Sequence, residues 1–448
     1  MRTYKPLEVA ISTILLVSTQ ASHAEISGTW EQEASYGTSQ NSLQKLESVI
    51  DGEWAETAGS FALTAITRIR LDTESNLNTG EWALSYESRL NDQREYIGND
   101  GKHGEITLRE LYFDAEFWGG YWRVGKQQVV WGQSDGLKVL DQVNPQSFGE
   151  FILDDFDDSR IPLWMLNVEV AFKDDTLQIL WIPDASTHAL PDLNTPYALT
   201  SNELVPSMPV DAKGRALIPV TFKKRHDPKR FWADSDVGLR YSIFTDSGWD
   251  ITYNYLYHYQ DLPVLYQQVV GSGVDTKIEI MPTFKRSHLL GGTLSNALGD
   301  FTLRGEWGYS TDTYFVSSNV NTQGIEKSAE LSTVVGLDYQ GISDMFISLQ
   351  WFQSHLFDYE KTIIRNQNNQ NLTLLVQHDF MNETLRLESL FIHNLSHEDG
   401  LARPKIIYQL SSDVEVYTGA DIFYGKPKGL FGQFSQQDRV SLGFKIGF

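Results

Sequence analysis

Apolar and polar residues alternate one by one along much of this chain, in segments of about ten residues. In residues 164–172, Trp164, Leu166, Val168, Val170 and Phe172 oppose Asn167 and Glu169. Because successive side chains of a strand point to opposite faces, this period of two predicts β-strands with one apolar and one polar face. The same pattern recurs in residues 61–71, 82–90, 111–117, 237–243, 249–257, 301–307, 385–391 and 414–416.

Alternation of this kind fits either a soluble β-sandwich or a membrane β-barrel. Three features favour the barrel. The segments have the length that crosses the hydrocarbon at a tilt, Trp and Tyr recur near segment ends, and long connections alternate with short ones. Outside the N-terminal segment there is no apolar run long enough for a membrane-spanning helix. We therefore predict an all-β fold, a closed antiparallel transmembrane β-barrel.

The connection lengths also predict the orientation of the barrel, because outer-membrane barrels have short periplasmic turns and long extracellular loops. Long connections lie near 131–163, 184–234, 258–283, 312–327, 356–370, 394–402 and 424–436. Tight ones lie near 118–120, 173–176, 245–248, 297–300, 341–343, 381–383 and 411–413. With both termini of the chain on the periplasmic side, the strand number must be even.

The strand count itself is uncertain by one. We count about 18 candidate strands, or 19 if residues 26–36 are included, so either one assignment near the N-terminus is wrong or residues 26–36 are not a barrel strand. The prediction is 16–18 strands, with 18 favoured.

The N-terminus reads as a secretory signal peptide. Arg2 and Lys5 precede an apolar stretch over 9–17, and Ser22-His23-Ala24 has the small-x-small pattern of a cleavage site. The alternative, a helical membrane anchor, needs a longer stretch. We predict a signal peptide over residues 1–24 and a single outer-membrane barrel domain over 25–448.

The last residues resemble the assembly signal of outer-membrane barrels. Val440, Leu442, Phe444, Ile446 and Phe448 form an unbroken apolar face. The positions that match the signal are Ser441, Gly443, Ile446 and Phe448. This resemblance implies that the barrel-assembly machinery recognises the chain.

Composition narrows the function classes. The chain has 448 residues, a formal net charge of −23 and no cysteine. The acidic balance argues against nucleic acid as a partner, and the lack of Cys excludes disulfides and thiolate metal sites. On the polar faces acids outnumber bases, which predicts a mild preference for cations in a water-filled lumen; the same charges could instead serve structure by pairing across strands.

Residues 131–163 form a loop long enough to fold into the barrel and narrow it, although its Gly and Asn-Pro residues could equally serve only as turns. This loop and the polar strand faces supply the candidates for a constriction or lumen. They are Arg109, Glu110, Tyr112, Asp114, Lys126, Gln127, Asp135, Asp141, Asn144, Arg240, Arg304 and Glu306.

Four motifs in this region resemble a bacterial outer-membrane family known as domain of unknown function 1302. In order they are R-E-L-Y at 109–112, G-K-Q-Q-V-V-W-G at 125–132, D-G-L at 135–137 and V-N-P at 143–145. The resemblance implies a large outer-membrane barrel. Members of the family tend to accompany pathways that handle hydrophobic compounds such as steroids, which implies an apolar or amphipathic solute. The family offers no active site to transfer.

Two charged segments have competing interpretations. The acidic residues of 150–158 could bind a hard cation, but their spacing is not that of an EF-hand, and a solvated acidic loop is the better interpretation. The basic residues of 223–230 could pair with lipopolysaccharide phosphates or could simply be solvated. We predict no metal site and no cofactor.

The leading functional hypothesis is a passive channel or transporter for a small, apolar or amphipathic solute, not energised through TonB because no plug domain precedes the barrel. The first alternative is a non-conducting scaffold or binding barrel for an envelope complex. The second is a lipid-modifying enzyme, although no G-x-S-x-G motif or paired histidine motif occurs. Expected partners are outer-membrane lipid, lipopolysaccharide, an unidentified solute and an envelope transporter.

Overall fold

Eighteen antiparallel strands form the barrel in a computed structural model, which describes residues 23–74, 95–96, 104–191, 195–206, 218–225, 227–228 and 230–448. The barrel strands are β1 His23–Gly37, β2 Ser42–Ala58, β3 Phe61–Asp72, β5 Gly104–Phe117, β6 Gly120–Gln127, β7 Leu163–Phe172, β8 Asp175–Ile182, β10 Asp236–Phe244, β11 Asp250–Tyr259, β14 Arg286–Leu298, β15 Phe301–Val316, β16 Ile325–Tyr339, β17 Met345–Leu356, β18 Asn368–Phe380, β19 Leu385–Asn394, β20 Asp399–Ser411, β21 Val414–Tyr424 and β22 Arg439–Gly447.

The sheet closes because β1 pairs with both β2 and β22. Each barrel strand is antiparallel to its neighbours, as a closed barrel in lipid requires for its backbone hydrogen bonds. The prediction of an 18-stranded barrel is confirmed. The doubt about residues 26–36 was misplaced, because they lie in β1. The candidate strand at 82–90 falls outside the described residues, and β3 pairs directly with β5.

Most long connections lie at one end of the barrel. The short turns lie at the other end, together with the start of β1 and the end of β22. Eight connections of two to five residues join strands at the end where β22 finishes, for example 59–60, 118–119 and 412–413. One prediction about length is wrong. The connection near 394–402 is only residues 395–398, because β19 and β20 extend further than their alternation indicated. The predicted alternation of sides is otherwise confirmed.

The faces of the strands follow the predicted alternation. In β22, Val440 and Leu442 are exposed on the outside, whereas Arg439 and Ser441 are buried on the inside. In β15, Trp307 is exposed and Glu306 is buried. An apolar outer face suits the hydrocarbon of a bilayer, and the polar face lines the interior. No helix in the described part of the chain has the length and apolar character to cross a membrane.

The remaining elements lie in the extracellular loops. A two-residue strand, β4 Glu95–Tyr96, pairs with β5. The hairpin of β12 Val264–Val270 and β13 Lys277–Thr283 adds β9 Val220–Phe222 as a parallel third strand. A single helical turn, α1 Phe156–Ser159, lies in the connection between β6 and β7.

The seam between the first and last strands is packed closely. Gly28 and Phe448 exchange two backbone hydrogen bonds of 2.8 and 3.0 Å. A Cβ on Gly28 would lie 2.6 Å from the Phe448 ring and 2.7 Å from the Asp51 carbonyl oxygen, whereas a Cβ on Gly52 would meet no atom. Gly28 and Gly52 are partners across β1 and β2.

Gly28→Ala is therefore expected to destabilise the closed barrel by about 1–3 kcal/mol, the usual cost of forcing one extra carbon into a packed site. Gly52→Ala is the matched control and should change stability by less than about 0.5 kcal/mol. Urea titration followed by heat-modifiable mobility on gels measures both. Equal effects of the two substitutions would show that the seam is not tightly packed at Gly28.

Candidate functional site

The connection between β6 and β7, residues 128–162, is here called the inner loop. Two of its side chains, Trp131 and Leu140, are fully buried in an apolar cluster against the inner wall of the barrel. The wall residues of this cluster come from β7, β8, β11 and β14: Leu163, Met165, Leu180, Ile182, Leu256 and Leu289. Burial of apolar side chains against these strands fixes the inner loop to one side of the lumen.

Glycines in the wall make room for these two side chains. A Cβ on Gly238 would lie 2.9 Å from the Trp131 ring, and one on Gly291 would lie 2.3 Å from Leu140 Cδ2. The Trp131 indole N–H donates to Gln178 Oε1 at 2.8 Å, so its only polar group is satisfied. Trp131 of the G-K-Q-Q-V-V-W-G motif thus packs the inner loop against the wall.

Asn144 ties the two ends of the inner loop together. Its Oδ1 accepts from the Val129 N–H at 2.8 Å, and its Nδ2 donates to the Ile161 carbonyl at 2.9 Å. Gln127 is buried beside it at the end of β6, and the Lys126 ammonium donates to the Leu108 carbonyl at 2.7 Å. Asn144 and Gln127 therefore meet at the base of the loop, whereas the Lys126 contact joins β6 to β5 within the wall.

Arg304 and Glu306 in β15 hold the first part of the inner loop. Glu306 accepts from the Gln133 N–H at 2.8 Å and from the Leu140 N–H at 2.5 Å. Arg304 binds Asp135, as well as Asp338 at 2.8 Å. The structure therefore brings together three predicted residues, Asp135, Arg304 and Glu306, as a contact between loop and wall.

Glu150 fastens the second part of the loop to the other side of the barrel. Its Oε2 lies 3.2 Å from Lys45 Nζ in β2 and 3.0 Å from Arg439 Nη1 in β22. All three groups are buried, and the cations lower the pKa of Glu150 to about 2, against burial, which acts to raise it. The interpretation of 150–158 as a solvated acidic loop is wrong at this residue.

The contact continues onto β3 and β5. Arg68 binds Asp158 at 2.6 Å, and the Arg109 guanidinium donates to the Asp157 carbonyl. Arg68 also binds Asp51 at 2.6 Å within the wall. The inner loop thus contacts charged residues from β2, β3, β5, β15 and β22, which places it across the interior of the barrel.

Other predicted candidates lie in the wall beside the loop. Asp114 pairs with Arg123 at 2.7 Å, and the same guanidinium stacks 4.0 Å above the Tyr112 ring. Glu110 accepts from Gln128 Nε2 at 2.8 Å. Arg240 donates to the Val130 carbonyl at 3.2 Å.

The four residues that match the assembly signal lie in or directly after β22. The Ser441 hydroxyl is 2.8 Å from the Ser35 hydroxyl in β1, and Gly443 pairs with Glu33. Ile446 pairs with Trp30, and Phe448 bonds to Gly28. They form the closing seam, and their recognition by the assembly machinery stays a prediction.

Beside the inner loop, against β1–β3 and β19–β22, lies a cavity of about 180 Å³, here called the lumen cavity. Nine carboxylates and seven basic groups line it. The carboxylates belong to Glu31, Glu33, Glu47, Asp51, Asp154, Asp155, Asp158, Glu388 and Asp421; the bases are Lys45, Arg68, Arg70, Arg403, Lys405, Arg439 and Lys445. Most are paired, for example Arg70 with Glu47 at 2.5 Å and Arg403 with Asp421 at 2.9 Å.

On the extracellular side of the inner loop lies a larger cavity of about 460 Å³, here called the outer cavity. Its walls come from the inner loop, from the outer ends of β11 and β15, and from the segment 260–265. Most of its lining is apolar, including Phe148, Phe151, Leu262 and Val316. The two cavities therefore differ in chemistry: the outer one is apolar and the lumen one is charged.

Asp154 lines both cavities. Burial raises the pKa of Asp154 to about 6, and the adjacent Glu150 carboxylate adds to the shift, against Arg70 and Lys45, which oppose it. In the sequence Asp154 is only one member of an acidic run, because its neighbours in space come from distant strands.

In the described part of the chain, no cluster of three or more His, Asp or Glu side chains has the arrangement of a metal site. The acidic residues of the inner loop are instead distributed among different arginine and lysine partners.

The chain also matches a known family over most of its length. The model of the family described as "Protein of unknown function (DUF1302)" matches residues 65–385, which include all four motifs. This chain belongs to that family. A search of the curated proteins finds none that matches.

Solved structures of outer-membrane porins share the fold of this family member. OccAB2 of Acinetobacter baumannii has a TM-score of 0.52 at 11% identity, over 95% of this chain and 98% of that one. OccK8 (OprE) of Pseudomonas aeruginosa has a TM-score of 0.52 at 10% identity, with the same coverages. OpdK of Pseudomonas aeruginosa, solved with vanillate, has a TM-score of 0.50 at 10% identity and the same coverages. This chain, which forms a closed barrel with an apolar outer face, is a protein of the bacterial outer membrane.

Removing the main apolar anchor should free the inner loop without opening the barrel. Trp131→Ala leaves a cavity that costs about 3–5 kcal/mol of packing free energy. We expect faster proteolysis within residues 128–162 while heat-modifiable mobility is retained. Val130→Ala is the matched control, because Val130 is 43% exposed. Identical cleavage rates in the two variants would contradict the anchoring role of Trp131.

Proposed function

We propose that this family member is a passive outer-membrane channel whose inner loop constricts the lumen, and that it carries small apolar or amphipathic solutes. The observation that carries this proposal is the position of the inner loop between two cavities that share Asp154. A solute moving from the outer cavity to the lumen cavity passes this residue. The closed barrel supplies the wall around the route.

The chemistry of the outer cavity supports the solute class. An apolar concave surface with a few polar groups favours solutes that have both characters. The neighbouring porin OpdK was solved with vanillate, a small organic molecule, which supports small organic solutes as a class without naming one for this chain. No step of bond making or breaking is needed for such passage.

The loop itself provides the first test. Replacing residues 132–160 by a short Gly-Ser linker should raise single-channel conductance in planar bilayers severalfold, because a wider, water-filled lumen would replace the packed loop. Heat-modifiable mobility checks that the barrel remains folded. Unchanged conductance with an intact barrel would reject the channel and favour the scaffold alternative.

A second variant keeps the length of the loop and removes the anchors within 132–160. A Gly-Ser segment of the same length as 132–160 lacks Leu140 and Glu150, so it loses their contacts with the wall. It should give conductance that is both larger than the native value and noisier. A native-like conductance from this variant would mean that the length of the loop, and not its anchored conformation, sets the constriction.

Asp154 predicts a pH dependence of ion selectivity. It carries a charge above its pKa of about 6 and is neutral below it, whereas Glu150, with its pKa lowered to about 2, and Asp158, with its pKa also lowered, stay charged. The permeability ratio of K⁺ to Cl⁻ should therefore fall as pH decreases from 7.5 to 5. The expected change is about twofold, as for one partly screened charge near a passing ion.

Asp154→Asn should show the low-pH ratio at both pH values, as measured from reversal potentials in a salt gradient. Asp157→Asn is the matched control, because the Asp157 side chain is 91% exposed and lines neither cavity. A native pH dependence in Asp154→Asn would contradict the assignment. Clear anion selectivity at neutral pH would contradict the cation preference itself.

A further inference from the structure

The outer cavity has a polar end built from Lys138, Asp141 and His188, three of its lining residues. Lys138 Nζ lies 3.2 Å from Asp141 Oδ2 and donates to Gln146 Oε1 at 2.5 Å. The Gln146 backbone N–H in turn donates to His188 Nδ1 at 2.8 Å. Gln146 therefore links Lys138 and His188, and Lys138 in turn contacts Asp141, at one place in an otherwise mostly apolar cavity.

Asp141 has hydrogen-bonding capacity that the protein does not use. It is 5% exposed, and its Oδ1 is a buried acceptor without a hydrogen-bond partner among the described residues. Its cationic contacts, from Arg160 at 2.8 Å and from Lys138, fall on Oδ2. Because a buried polar atom left without a partner is costly, the unused oxygen of Asp141 points to a group that is supplied from outside the chain.

Lys138 has donor capacity to match. Its ammonium carries three hydrogens, of which two are directed to Gln146 and Asp141. The ammonium also lies 4.3 Å above the Phe156 ring, which fixes its position over the inner loop. At this end of the cavity Lys138 therefore has a donor, and Asp141 an acceptor, that no described residue uses.

His188 adds a second donor. Since its Nδ1 accepts the Gln146 N–H, the ring proton is on Nε2. Burial lowers the pKa of His188 to about 3, so the imidazole stays neutral over the working range of pH. The ring packs edge-on against Phe148, with centroids 5.0 Å apart, at the boundary between the polar end and the apolar wall.

We infer that the outer cavity is a binding site for an uncharged apolar molecule that carries a hydroxyl group, which accepts a hydrogen bond from Lys138 and donates one to Asp141 Oδ1. A hydroxyl is the smallest group that does both. A cavity of about 460 Å³ is in the range that holds small organic ligands. The statement that such molecules are the solutes of the channel rests on the proposed function. The statement that the cavity binds them is tested separately.

The surrounding charges favour a neutral ligand. Glu203 and, above its pKa of about 6, Asp154 line the same cavity together with Asp141, so a ligand carboxylate would enter a site that already holds three carboxylates. An ammonium ligand would instead meet Lys138 at the polar end. An uncharged hydroxyl is repelled neither by the carboxylates nor by Lys138, and it can hydrogen-bond with both Lys138 and Asp141.

Four probes with one apolar body test the class: 2-naphthylmethanol, 2-methylnaphthalene, 2-naphthoate and 2-naphthylmethylamine. Each is titrated by fluorescence against the full-length protein in lipid nanodiscs, and empty nanodiscs correct for partition into lipid. We expect saturable binding of 2-naphthylmethanol, about tenfold tighter than that of the other three, since one charge-assisted hydrogen bond is worth about this factor.

Lys138→Met separates ligand binding from a purely structural role. It should weaken 2-naphthylmethanol about tenfold and leave 2-methylnaphthalene within about twofold, because only the alcohol uses the ammonium. Loss of both probes together would assign Lys138 a structural role alone and would overturn its part in the site. The matched control is Lys426→Met, at a side chain that is 71% exposed and lines neither cavity.

A cavity-filling variant locates the binding. Leu262→Trp, at an exposed lining residue, should weaken both 2-naphthylmethanol and 2-methylnaphthalene. Equal affinities of the native protein for all four probes, tighter binding of the carboxylate or of the amine, or no saturable binding would each overturn the inference. The conductance results for the loop variants stand apart from these measurements, so a failed binding site and a failed channel are distinguishable.

Discussion

The constraint on which this structure depends is that every backbone N–H and C=O inside the bilayer must find a partner within the protein. A sheet meets this condition only when it closes, and here closure means that β1 and β22, which are more than 400 residues apart in sequence, share a ladder of hydrogen bonds. In the closed sheet the apolar face of each strand is on the outside, where it contacts lipid. Closure also leaves a polar interior of 18 strands that the chain itself must fill or leave to water.

The inner loop fills much of that interior, by two kinds of attachment. On one side Trp131 and Leu140 bury apolar surface against β7, β8, β11 and β14. On the other sides the attachment is ionic, with Glu150 between Lys45 and Arg439 and Asp158 against Arg68. The apolar attachment contains no charged group that titrates. The buried ion pairs fix the position of the loop, but their charged groups lose hydration, which costs free energy. The two cavities are the spaces that these attachments leave open.

Much of the fold could be predicted from sequence, because its determinants are local. Alternation along each strand, the lengths of the turns and the terminal Phe448 depend on neighbouring residues only, and they predicted the architecture and the orientation. Residues 26–36 were ambiguous because charged and polar residues dominate this segment, and residues 395–398 were assigned too long a loop for a similar reason.

The site was less accessible to prediction. The wall contacts of Arg304 and Glu306 could be anticipated as inward charges, but their partners in the loop could not. Glu150 looked like one acid among several, and only the fold places it 3.0 Å from a residue 289 positions away. Asn144 and Gln127 were predicted only as candidates for a constriction or lumen, and nothing in the sequence indicated that they meet at the base of the loop. Pairing at such separations has no local signature, so the partners emerge only from the closed barrel.

The bridge made by Glu150 links the inner loop to closure of the barrel. Lys45 and Arg439 stand on strands that flank β1, one on each side of the seam, so this carboxylate spans the seam. In an open sheet these two cations lie on strands near opposite edges. The Glu150 bridge therefore requires the closed ring, so the position of the second part of the inner loop depends on closure of the seam.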